Sequence, residues 1–232
     1  MRSFSCYRPV IGEAKHSYRY RLLKAIRPRA AVECWTMGQF QLLAQPAWVN
    51  LLVFIPLGLF IAWRSKGLEI SGRQLLFATL FALAFGFVEA AVVVYLRAAT
   101  GLLPGYGGTL SEVQRLGRGT ALYPPAITQF PPSLLTVEVL REGATIVMLV
   151  SIAMLAAARA RERSAVFLWT FALWDISYYA GLWATIRWPS SLTAPDVLFL
   201  IPVPWVAQVW FPLLVSVLTL IAVGSRRKQM QV

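Results

Sequence analysis

Glu89, Glu138, Arg141, Glu142 and Asp175 sit inside stretches otherwise apolar enough to cross a bilayer. An ionisable group at that depth costs about 2.5–3.5 kcal/mol on insertion scales, so it persists only where a partner or a function compensates it. On a helix, residues three and four apart share a face. That spacing puts Glu138, Arg141, Glu142 and Thr145 on one stripe, and Asp175 with Tyr178 and Tyr179 on another. Hydrocarbon rejects such stripes, so both are expected to point into a bundle interior. The chemistry on offer is that of carboxylates beside phenols and one guanidinium. Such a set can bind protons, a hard cation with oxygen ligands or a cationic solute, or do general acid and base work.

Ionised together, the four acids and Arg141 sum to −3, which a low-dielectric interior does not hold uncompensated. Three remedies exist: protonation of one or more acids, a bound cation, or Arg97 and Arg187 folding in from the helix ends. Glu138 and Glu142, four apart on one face, repel unless bridged. With Arg141 as that bridge, the cluster would be a structural ion network.

Much other chemistry is excluded. Both cysteines, Cys6 and Cys34, and the only histidine, His16, precede Met37. The apolar part therefore has no Cys or His zinc site, no haem held by those residues, no thiol nucleophile, no Ser-His-Asp triad and no disulfide. No cofactor is identified, and a metal bound there would have oxygen ligands.

The elements that must position these groups follow from composition. The 232 residues are 58% hydrophobic and only 14% charged, unlike a soluble domain. We expect an all-α fold, a polytopic membrane helix bundle of about five transmembrane helices over residues 37–232. Its spans are read at about 47–63, 74–96, 134–157, 165–187 and 205–223. The first and last carry Pro56 and Pro212, tolerable where neighbours re-satisfy the freed carbonyls. In the second, Ala78, Ala82, Gly86 and Ala90 recur every fourth residue, a seam for a closely packed helix, with Glu89 beside it.

Loop charge sets the orientation. Arg64, Lys66 and Arg73, then Arg159, Arg161 and Arg163, then Arg226, Arg227 and Lys228 fall on one side by alternation; the other side has Arg97, Arg115, Arg118 and Arg187, diluted over longer connections. Dense Lys and Arg stay cytoplasmic, giving an N-out, C-in topology. At about 1.5 Å per residue, Glu89 then lies roughly 10 Å, Glu138 about 6 Å and Glu142 about 12 Å below the outer boundary, with Asp175 near the midplane. A shared acidic site in the outer half is the expectation. Residues 1–36 oppose this topology, because eight basic residues resist translocation. We read them as a basic tail, disordered or an over-called start with the functional chain opening near Met37.

Trp48, Trp63, Trp188 and Trp205 fall at span ends and read as interface anchors. The connection 97–133 is rich in glycine and proline, and its Tyr106, Tyr123 and Phe130 could cap an outward-opening pocket. The apolar run near 196–205, broken by Pro202 and Pro204, is expected to be a re-entrant or interfacial segment with Asp196 at its mouth.

Three functions fit these residues. The first is binding or transport of protons, a hard cation or a cationic solute at Glu89, Glu138, Arg141, Glu142, Asp175, Tyr178, Tyr179 and Asp196. The second is a membrane enzyme acting on a lipid or isoprenoid, with Glu138 or Glu142 supplying a proton while Asp175 stays ionised beside Tyr178. The third is a non-catalytic assembly subunit whose polar faces bind partner helices. Expected partners are the lipid bilayer of a bacterial plasma (inner) membrane and either further copies of the chain or partner membrane subunits. No nucleic acid is expected.

Overall fold

A computed structural model of the chain describes residues 42–99 and 132–226. The basic tail, the loop residues Tyr106, Tyr123 and Phe130, and the side chain of Arg97 lie outside the described residues. The described chain is mostly helical. A 3-10 turn, Ala47–Val53, runs into α1 (Phe54–Ala62), followed by α2 (Gly72–Ala99), α3 (Pro132–Ala156), α4 (Ala160–Ile186), strands β1 (Pro195–Phe199) and β2 (Trp205–Gln208), and α5 (Trp210–Arg226).

Two helices, Gly72–Leu96 and Ser133–Ala156, are long and apolar enough to cross a membrane. Their outward faces are apolar as well: Leu76, Phe77, Leu80 and Phe87 on α2 and Leu140, Val147 and Leu155 on α3 are exposed. The first and last expected spans are shorter than read. The apolar segment Ala47–Ala62 is partly 3-10, and α5 begins only at Trp210. Pro212 then sits in the first turn of α5, where its missing N–H would have had no helical partner.

The expectation of an all-α fold is corrected by a β-hairpin. β1 and β2 pair antiparallel, with Asp196 opposite Ala207, Val197 opposite Val206 and Phe199 opposite Trp205, and the register shifts between Val197 and Phe199. This is the stretch expected to be re-entrant. Its β-branched and aromatic residues suit a pleated strand, and Pro202 and Pro204 fall in the connection, where no ladder donor is needed. Gln45 extends the pairing: its N–H donates to Val206 O at 2.8 Å and its carbonyl accepts from Val206 N at 2.7 Å. Asn50 fixes the same leader by accepting from Ala44 N at 2.8 Å and donating to Ala44 O at 2.9 Å.

α4 is the axis of the bundle, packing on α2, α5 and α3, while α1 packs on α5. It is the least uniformly apolar of the long helices, and its neighbours enclose Thr170, Trp174, Asp175 and Tyr179. The small-residue seam of α2 is the α2–α4 contact. A Cβ at Gly86 would lie 2.5 Å from Trp174 O and 2.7 Å from Ser177 Cβ, and one at Gly181 would lie 2.9 Å from Ala90 Cβ. Only residues without side-chain bulk allow that approach. Ser177 Oγ also donates to Leu83 O at 2.7 Å across this seam.

Apolar packing forms at both ends of α4. One cluster joins Leu68, Ile70, Ala165 and Val166; the other joins Ala90, Leu182, Ile186 and Val209. Trp63 and Trp188, expected as interface anchors, are buried in these clusters, and the exposed Trp48 stacks edge-on against Trp205 at 4.9 Å. Near the first cluster Ser71 and Gln74 cap α2 reciprocally, Ser71 N to Gln74 Oε1 at 2.9 Å and Gln74 N to Ser71 Oγ at 3.1 Å.

Candidate functional site

Between the two clusters, at the middle of α4, a cavity of about 100 Å³ opens. It is lined by Glu89 from α2, Arg141, Glu142 and Thr145 from α3, Phe171, Trp174, Asp175, Tyr178 and Tyr179 from α4, Asp196 to Phe199 from β1, Trp205 from β2, and Phe211 and Ser216 from α5. Of the eight residues proposed as ligands, all except Glu138 reach its wall. Four carboxylates, Glu89, Glu142, Asp175 and Asp196, therefore face one guanidinium, Arg141.

The guanidinium is committed. Arg141 Nη1 donates to Glu89 Oε2, and its Nε and Nη2 donate to Glu138 Oε2 at 3.0 and 2.9 Å. Thr145 Oγ1 donates to the other Glu89 oxygen at 2.6 Å. The Arg141 bridge thus joins Glu138 to Glu89 rather than to Glu142. The guanidinium is taken up by Glu138 one turn back and by Glu89 on the facing helix, and Glu142 bonds the hairpin instead. α2 and α3 make few backbone contacts, and this ion pair spans the gap between them.

The remaining acids have other partners. Glu142 Oε2 accepts from Leu200 N at 2.8 Å, at the end of β1. Asp175 Oδ2 accepts from Ser216 Oγ on α5 at 2.8 Å, and Asp196 Oδ2 accepts from Tyr179 Oη at 2.8 Å. All three are buried. Arg187 does not fold in to neutralise them: it caps α4 in a left-handed conformation, with its guanidinium 4.4 Å from the Trp183 ring centroid. Among the described residues no three His, Cys, Asp or Glu side chains gather so as to hold a metal ion. The acids are spread around the wall.

Several lining residues were not anticipated. Phe199 is central to an aromatic wall, with its ring centroid 5.5 Å from Trp205, 6.1 Å from Phe171 and 6.2 Å from Trp174. In an apolar segment such rings look like packing, and only the fold turns them to one side. Ser216 had a weak signal as a hydroxyl in a run of aliphatic residues. Glu162, also buried and also missed, pairs with Arg161 at 2.7 Å and does not line the cavity.

Comparison with known proteins finds no matching family model, no matching curated protein and no matching solved structure.

Proposed function

We propose that the chain is a membrane-embedded bundle of about five apolar segments, N-out and C-in, whose cavity binds a small cationic solute from the outer side and serves its passage or sensing. The exposed apolar faces of α2 and α3 support the bilayer setting. One observation carries the solute reading: acids from α2, α3, α4 and β1 meet in a single cavity that holds one arginine, leaving three negative charges when all are ionised. A cation inside that wall supplies what the charge balance lacks.

A lipid or isoprenoid substrate fits the lining poorly, because four carboxylates and an arginine share the wall with the aromatic residues, a surface for a charged group rather than for an acyl chain. A tightly chelated metal ion has no cluster of three acids to hold it among the described residues. The assembly-subunit reading accounts for Glu89 and Glu138, both paired to Arg141, and leaves Glu142, Asp175 and Asp196 facing an open space.

The test is thermal melting of the purified chain in detergent with a panel of inorganic and organic cations, since a ligand that binds only the folded state raises its stability by mass action. At least one cation is expected to raise the melting temperature, and Asp175→Asn and Glu142→Gln are expected to abolish the rise. A panel that leaves wild-type melting unmoved up to millimolar concentrations overturns the reading.

A further inference from the structure

Charged groups are a minority of the cavity lining. Phe171 and Trp174 from α4, Phe199 from β1 and Trp205 from β2 line the same space as the acids. Phe171 and Phe199 are nearly parallel, 16° apart, while Trp174 and Trp205 are each inclined at 48° to Phe199. The rings therefore line the space from several directions rather than as one flat stack. A π-face attracts a cation within about 6 Å of its centroid, most strongly where water is excluded.

Acids alone favour a small, strongly hydrated ion. Rings beside acids favour a cation whose charge is spread over apolar methyl groups, because such a head loses little hydration on entry and packs against carbon. Trp174, one of the lining rings, is only 7% exposed, so a cation beside it is held largely away from bulk water, where the attraction of a π-face is strongest.

We propose that the cavity takes a small methylated ammonium compound. Its onium head sits against Phe199 and Trp174, and its charge is balanced by Asp175 and Glu142. This assignment rests on the cationic-solute reading above and specifies the class of solute.

The probes are choline, tetramethylammonium, ammonium, Na⁺ and Mg²⁺, titrated against the full chain in detergent with melting temperature and calorimetry as readouts. Choline and tetramethylammonium are each expected to bind about tenfold more tightly than ammonium. Phe199→Leu should bring both to within about twofold of ammonium. Ammonium, Na⁺ or Mg²⁺ binding as tightly as choline overturns this proposal and leaves the cationic-solute reading standing. No binding by any cation overturns both. A choline preference that survives Phe199→Leu overturns the role of the rings. If a variant fails to fold, the wild-type ranking decides alone.

Discussion

Arg141 donates to Glu138 and Glu89 at once, so replacing it strands two buried carboxylates in one step. Breaking a buried pair by removing one partner costs about 3–5 kcal/mol. Arg141→Met should lower the melting temperature of the detergent-solubilised protein accordingly, and Glu89→Gln added to it should recover part of the loss. Arg141→Lys should fall between, because one ammonium does not reproduce the fork that reaches two acids. An Arg141→Met protein that melts like wild type would show that the pair contributes nothing. At this scale the sequence was informative about membership: an acid in hydrocarbon is expensive enough that Glu89, Glu142 and Asp175 could be expected to share an interior. It was uninformative about pairing. Glu142 ends on a backbone N–H of the hairpin and Asp175 on a serine of α5, and no helical spacing encodes contacts between segments so far apart.

The α2–α4 seam is the element most exposed to a single change. Gly86→Ala places a methyl group 2.5 Å from a backbone carbonyl, and overpacking of this kind costs about 1–3 kcal/mol. Gly143 on α3 provides the control, since a Cβ there meets nothing within 4 Å. Gly143→Ala should be neutral or stabilising by up to about 1 kcal/mol, from helix propensity alone. Equal melting temperatures for the two alanine variants would refute the close approach. The seam was readable because a four-residue repeat of small side chains has few other physical uses. The hairpin was not, since the ten residues from Asp196 to Trp205, with two prolines among them, satisfy no helix rule and too little of the strand rule. The period-two pattern is blurred where the register shifts between Val197 and Phe199. The aromatic wall was lost with it, because Phe199 and Trp205 reach the cavity only through that pairing.

For the molecule as a whole, the proposed bilayer setting makes a topological prediction. With Cys6 and Cys34 replaced by serine, a cysteine at the exposed Lys66 should react with an impermeant thiol reagent only when the cytoplasmic face is opened, and one at the exposed Thr193 should react from outside in intact cells. Labelling of both from the same side would overturn the alternation. Basic-residue density framed this expected orientation, whereas the number of crossings was harder to read, because α1 and α5 are short and α4, though 27 residues long, is too polar for length and hydropathy to decide.

That shortness has a mechanical consequence. At about 1.5 Å per residue, the 17 residues of α5 extend about 25 Å, whereas the 25 residues of the candidate span in α2 extend about 37 Å, against a hydrocarbon slab of about 30 Å. In a membrane, lipid beside α5 and α1 would be compressed while lipid beside α2 would be stretched or met by tilt, each at a modest cost per ångström. Acyl-chain length would then act as a load on one flank of the protein, the flank that carries Ser216 and its hydrogen bond to Asp175.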